Sequence, residues 1–125
     1  MLITNFYTIQ NFKAVDSKAE ALILLNPEHE VYKGHFPGQP VVPGVIQIEM
    51  IRELTEKALN RQLFINEVVS AKYLNMIIPD GKPLTFELSF KAVENGFSIN
   101  GIIKNNDRVF SKVKMKTSIT KSLGI

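Results

Sequence analysis

The chain contains no cysteine, which excludes disulfides, thiolate metal sites and a cysteine nucleophile together. It has no apolar run near the roughly 18 residues of a membrane-spanning helix. Its opening, MLITNFYTIQ, lacks the basic segment and apolar core of a secretory signal. No block of five or six like charges is present, and the net charge of +3 is diffuse, so neither a nucleic-acid tail nor a disordered charged arm is indicated. These absences point away from membranes and nucleic acid and make the cytoplasm the expected compartment. Histidine is scarce: only His29 and His35 occur.

What is present is ordinary for a globular protein: 45% hydrophobic and 22% charged residues in 125. That length can bury one sizeable core, so residues 1–125 read as one domain. Residues 3 to 14 and 18 to 26 are rich in β-branched, aromatic and aliphatic side chains, are separated by Asp16-Ser17, and read as strands. Tyr32 to Gly44 (YKGHFPGQPVVPG) is too dense in glycine and proline for a regular element and reads as a structured loop. A helix is predicted from Pro43 to about Asn60, with Ile48, Ile51, Leu54, Thr55, Ala58 and Leu59 on one apolar arc. Arg52, Glu53, Glu56 and Asn60 fall opposite, with Lys57 at that face's edge.

The second half alternates between polar and apolar and is punctuated by Asp80-Gly81, Asn95-Gly96 and Asn105-Asn106-Asp107. Asn95-Gly96 between FELSFKAVE and FSINGIIK predicts a hairpin with a type I′ turn. Lys112, Lys114 and Lys116 alternate with Val113 and Met115, as in a strand with one wet and one buried face. The fold class is therefore α+β, with one long helix covered by an antiparallel sheet. Burying the sheet's edges against a second copy makes a homo-oligomer the expectation.

A metal site is tested first, because PEHEVYKGH mixes histidine with acids. Without thiolates or an HExxH spacing, two histidines six residues apart define no ligand geometry, and no metal is expected. His29, flanked by Glu28 and Glu30, reads as a solvated loop residue. His35 precedes Phe36-Pro37-Gly38, a sequence suited to a type II turn that would hold the imidazole in place. Glu49 falls on the polar face, where it could simply be a solvated acid near the positive end of the helix dipole. Val45 and Ile46 bracket its direction, however, so it could instead border a dry pocket and serve as a general acid. The residues alone leave both alternatives open for both side chains.

The segment GHFPGQPVVPGVIQIEM, residues 34 to 50, resembles the signature of the 3-hydroxyacyl-(acyl-carrier-protein) dehydratase family. That signature is a Gly-His-Phe-Pro-Gly loop, a Pro-Gly opening the central helix, and an acid one turn in. The resemblance implies a hotdog fold, one long central helix wrapped by a curved antiparallel sheet. It implies a hydro-lyase that takes a proton from the carbon beside a thioester carbonyl with His35 and protonates the departing hydroxyl with Glu49. A base titrating near neutrality and a carboxylic acid suit that division of labour. It further implies an oxyanion hole from the backbone N–H groups of Gly44 and Val45 at the helix start. Gly44 would leave room for the thioester, and Phe36, Val42 and Ile46 are the expected pocket residues.

No cofactor is expected beyond the phosphopantetheine arm of an acyl carrier protein, the implied partner, for which Lys112, Lys114 and Lys116 are candidate docking residues. The implied assembly is a homodimer or trimer of dimers whose active site pairs His35 of one subunit with Glu49 of the other.

Three departures bear on pathway. The family's Leu-Pro-His-Arg-like opening is missing, Glu53 stands where the family has Gln, and Tyr73 to Gly81 (YLNMIIPDG) lacks both arginines of the family's strand. These leave His35, Gly44 and Glu49 untouched, but make a specialised polyene or polyketide-type pathway, such as pigment synthesis, an alternative to fatty acid elongation. A non-catalytic acyl-binding protein would have no use for the His–Glu pair. A hotdog thioesterase does not carry this loop. In the isomerising relatives the helix acid is Asp, against which Glu49 argues.

Overall fold

The structure, a computed structural model, describes residues 5–34, 38, 40–106 and 108–120. Along the chain run β1 (Tyr7–Val15), β2 (Lys18–Leu25), α1 (Val31–Gly34), α2 (Gly44–Leu59), β3 (Phe64–Tyr73), β4 (Leu84–Val93), β5 (Gly96–Asn105) and β6 (Arg108–Ser118). The strands form one sheet in the order β1-β2-β4-β5-β6-β3, with every neighbouring pair antiparallel. The predicted α+β arrangement is thus observed, with α2 set against the inner face of the sheet.

Alternation along the strands makes that inner face. Ala19, Ala21, Ile23 and Leu25 of β2 point inward with Leu84, Phe86, Leu88 and Phe90 of β4 and with Val113 and Met115 of β6. Lys112, Lys114 and Lys116 point out, as their alternation predicts. Gly101 on β5 marks where the helix comes closest: a Cβ there would lie 2.8 Å from the Ile51 side chain. Both edge strands are bulged, β1 between Ile9 and Asn11, and β3 twice, between Ile65 and Glu67 and between Val68 and Ser70. Bulges break the regular ladder that an exposed edge would otherwise offer.

The helix ends lie close to their predicted places. Pro43 is the N-cap, with φ −60° and ψ 148°, and Asn60 closes the C-terminus in the left-handed region, its N–H reaching Glu56 O. The buried arc is rotated from the predicted one. It comprises Gln47, Met50, Ile51, Glu53, Leu54 and Thr55, whereas Ile48, Ala58 and Leu59 are only half-buried. Glu53, predicted on the solvated face, is 8% exposed because Tyr7 of β1 crosses over it.

Two turns also differ from expectation. The β4–β5 hairpin turns on Glu94 and Asn95, since Val93 pairs with Gly96 and only Asn95 of the Asn-Gly pair has positive φ, at 58°. Gly96 is required for another reason: its missing Cβ would lie 1.8 Å from the Thr117 carbonyl oxygen of β6. The predicted loop from Tyr32 starts inside α1, so Tyr32 to Gly34 are helical.

Candidate active site

The site is built around the first three turns of α2. Pro43 O accepts the N–H groups of Ile46 (3.1 Å) and Gln47 (3.2 Å), so the helix begins tightly. The N–H groups ahead of these, on Gly44 and Val45, have no backbone acceptor among the described residues. Val45 is 75% exposed, so this end of the helix faces outward. Gln47 anchors the turn from below. Its Nε2 donates to Val42 O at 3.1 Å and its Oε1 accepts from the Ser111 hydroxyl of β6. Val42 N–H in turn donates to Ile77 O at 2.9 Å, tying the approach to the helix to the segment after β3.

Gly44 is needed for a reason the sequence did not disclose. A Cβ at this position would lie 2.6 Å from both Cζ and Oη of Tyr73, so the space expected for a thioester beside Gly44 is occupied on that side by a phenol ring. Burial pushes the Tyr73 phenol pKa up.

Glu49, for which the sequence left a solvated acid and the border of a dry pocket both open, sits in a network of charges. Its Oε1 accepts from both Nε (2.9 Å) and Nη2 of Arg52, one turn on. The same guanidinium donates through Nη1 to Leu63 O at 3.2 Å and pairs with Glu56 Oε2 at 2.7 Å, and that oxygen also accepts the Leu63 N–H at 2.8 Å. Arg52 and Glu49 side chains are 12% and 14% exposed, so the network is largely covered. The Glu49 hydrogen bond is the main reason the Arg52 guanidinium titrates above its ordinary value. Glu49 Oε2 is engaged by none of the described residues.

One turn further, Tyr7 donates to Glu53 Oε1 at 3.0 Å, while Glu53 Oε2 is buried and has no partner among the described residues. Burial raises the Glu53 carboxyl pKa, and this outweighs the opposing effect of the Tyr7 hydrogen bond. The Tyr7 phenol is raised as well, first by burial and then by the charge of Glu53. Tyr7, Arg52 and Gln47 are site residues that sequence reasoning missed. A lone amide in a helix's first turn and a Tyr in an edge strand carry no local signal of burial.

An open cleft of about 1080 Å³ runs along this polar face, lined by Tyr7, Glu49, Arg52, Glu53, Phe64 and Ile65, among others. It starts at Glu49 and extends toward the helix C-terminus. The expected pocket residues Val42 and Ile46 do not line it: Val42 belongs to the core and Ile46 is half-buried against it. His35 and Phe36 lie outside the described residues, just beyond α1. Gly38 is described and has φ 119°, the glycine-favouring conformation that a turn there calls for. His29 is not a solvated loop residue. Its ring meets Phe6 edge to face at 5.1 Å, and its Nδ1 accepts the Val31 N–H at 3.1 Å, starting α1.

On the outer face, register places Lys72 of β3 directly across from Lys112, while Lys114 lies opposite Ser70 and Lys116 opposite Glu67. The next pair along, Tyr73 with Ser111, is the one that touches Gly44 and Gln47. Of the lysines on β3 and β6, Lys72 and Lys112 are therefore nearest in register to the pair that meets the helix start, and Lys72 was not anticipated.

Comparison with known proteins agrees with this architecture. Residues 11–114 match the family model for ApeI-like proteins, described as ApeI dehydratase. The 3-hydroxyacyl-[acyl-carrier-protein] dehydratase FabZ of Lactobacillus helveticus is 28% identical over 131 residues, covering 95% of this chain and 86% of its own. That of Caulobacter vibrioides is 28% identical over 101 residues, 73% and 63% of the two chains. Among solved structures, the dehydratase heterocomplex ApeI:P from Xenorhabdus doucetiae superposes with a TM-score of 0.74 at 20% identity, over 89% of this chain and 96% of that one. An uncharacterised Erwinia carotovora protein superposes with a TM-score of 0.66 at 25% identity, over 90% and 93%. The sheet and its single long helix are thus a hotdog fold. No described helix is long and apolar enough to cross a membrane.

Proposed function

The chain belongs to the ApeI-like dehydratase family, and from that premise we propose that it removes water from a 3-hydroxyacyl thioester carried on the phosphopantetheine arm of an acyl carrier protein. His35 takes the proton from C2. The C3–O bond breaks as Glu49 protonates the departing hydroxyl, water leaves, and the trans-2-enoyl thioester remains. Enolate charge on the thioester oxygen meets the N–H groups of Gly44 and Val45, which have no backbone acceptor among the described residues. No cofactor enters this scheme, and it would run in the cytoplasm.

The observation that supports it best is the relation of Glu49 to the helix start. Glu49 is five steps along the helix from Gly44, about 7.5 Å at about 1.5 Å rise, and helical side chains lean back toward the N-terminus. A carboxyl whose Oε2 is engaged by none of the described residues thus leans toward the helix start, where a group would be held by the N–H groups of Gly44 and Val45. The acyl chain would continue along the cleft past Arg52 toward Phe64.

A second copy completes the site in this reading, bringing His35 of one subunit to Glu49 of the other in a homodimer or a trimer of dimers. Support comes from the apolar side chains left exposed on and around edge strand β3: Val68, Val69, Leu74, Met76 and Ile78. An acidic carrier would approach over Lys72 and Lys112, with Lys114 and Lys116 farther from the mouth.

The test is turnover of a panel of 3-hydroxyacyl carrier-protein substrates followed by mass, on enzyme whose assembly is sized in parallel. Loss of 18 mass units, abolished by His35→Ala and by Glu49→Gln without change of assembly, is the expected result. Substrate returned intact would mark an acyl-binding protein, and release of free acid a thioesterase. Full activity in both variants would sink the mechanism.

A further inference from the structure

Arg52 is engaged more completely than any other charged side chain described, and the dehydration scheme gives it no task. The guanidinium is a planar fork of five donors, and its three nitrogens are all committed: Nε and Nη2 to Glu49 Oε1, Nη1 to Leu63 O and Glu56 Oε2. Glu56 is itself held by the Leu63 N–H at 2.8 Å. Leu63 is buried just before β3, so the fork is fixed on one side by the segment entering that strand and on the other grips the acid.

We propose that Arg52 is a positioning residue for Glu49: it seizes one carboxyl oxygen, Oε1, and thereby dedicates the other, Oε2, which carries the proton given to the departing hydroxyl. This rests on the reading of Glu49 as the acid. A glutamate at the edge of an open cleft has three side-chain torsions, and ordering it at the moment of reaction is unfavourable. Binding both donors to one oxygen sets those torsions beforehand, and misplacement by about 1 Å can cost about 10²-fold in rate. The arrangement is asymmetric by construction. A bidentate fork spanning both oxygens would occupy the acid entirely, whereas donors converging on Oε1 leave Oε2 for proton transfer.

The neighbouring charges fit this assignment. Glu56 balances the guanidinium from the side away from the reacting oxygen. Glu53, whose pKa burial raises, and Tyr7, which donates to it, form the floor of the cleft beyond. Lysine could not reproduce the grip, because an ammonium is a point charge without the planar fork.

The test uses the assembled enzyme and three measurements. Arg52→Ala should lower kcat by about 10–100-fold with KM changed less than about threefold, since the binding surface remains while the acid loses its orientation. Added guanidinium at millimolar concentration should restore part of that kcat, and Arg52→Lys should retain less activity than its restored charge suggests. Independently of activity, the Arg52 Nε–H resonance in labelled protein should move on Glu49→Gln. An unchanged kcat in Arg52→Ala, or an equal fall in stability and activity with no guanidinium rescue, would overturn the proposal in favour of a purely structural latch. Should Arg52→Ala not fold, Arg52→Lys still decides: wild-type kcat in that variant would equally overturn it. A resonance that ignores Glu49→Gln would refute the pairing itself. Absence of turnover in the wild type, with the resonance still coupled to Glu49, would instead fault the dehydratase reading.

Discussion

Two glutamates stand one turn apart on α2 and live in opposite surroundings. Glu49 is held by a guanidinium through one oxygen and keeps the other for whatever enters the cleft. Glu53 receives only a phenol hydrogen bond, is walled in on its second oxygen, and has its pKa raised by burial. The contrast teaches that residue type and helical spacing do not distribute roles. What distinguishes the two carboxyls is which segment crosses each: Leu63 brings a carbonyl that fixes Arg52 beside the first, and Tyr7 covers the second.

The strongest way to break this comparison is to neutralise each acid in turn. Glu49→Gln should reduce dehydration by about 10²–10⁴-fold, the span of a positioned acid, while Glu53→Gln should leave most of the rate. Comparable losses in both would show that the two are not divided in role.

Gln47→Ala tests whether the helix start is held independently of either acid. It removes bonds to Val42 O and to the Ser111 hydroxyl in a buried position and should cost about 1–3 kcal/mol, read as a lower denaturation midpoint. Tyr7→Phe is milder, about 1 kcal/mol from one lost hydrogen bond, and should leave turnover by Glu49 intact.

The smallest effect is also the most diagnostic. Because the folded pKa of Glu53 lies above its unfolded value near 4.5, its stabilising contribution is complete below that value. It is lost as pH rises toward the folded pKa. Melting temperatures of the wild type and Glu53→Gln should therefore converge in acid and separate above about pH 4.5, with the variant the more stable. A difference independent of pH would mean that Glu53 is solvated after all.

Much of the fold was legible because its signals are local. Pro43 and Asn60 mark the ends of the helix, the Asp16-Ser17 turn separates two strands, and alternating lysines declare the outer face of β6. The spacing of Glu49 from the Pro-Gly helix start was legible as well, and with it the resemblance that led to the family. What escaped is set by long-range packing. A helical wheel places Glu53 on the polar side because it carries no knowledge that Tyr7, 46 residues away in sequence, lies there. Asn95-Gly96 was read as a turn pair because both residues tolerate positive φ. The actual register is decided by the close approach of Gly96 to the β6 backbone. The donors to Glu49 escaped for a different reason: Arg52 looked like one more charge on a wet face, and only the arrival of Leu63 turns it inward.

Lys72 and Lys112 face each other across neighbouring strands, an arrangement in which like charges repel with little between them but solvent. Ionic strength therefore acts on this pair in two opposing senses. Dissolved salt relaxes the repulsion and should favour the folded sheet slightly, yet the same screening shortens the reach of the pair's field toward an acidic visitor. The conditions in which the protein is most comfortable alone and those in which it captures a carrier fastest lie at different ends of the salt scale.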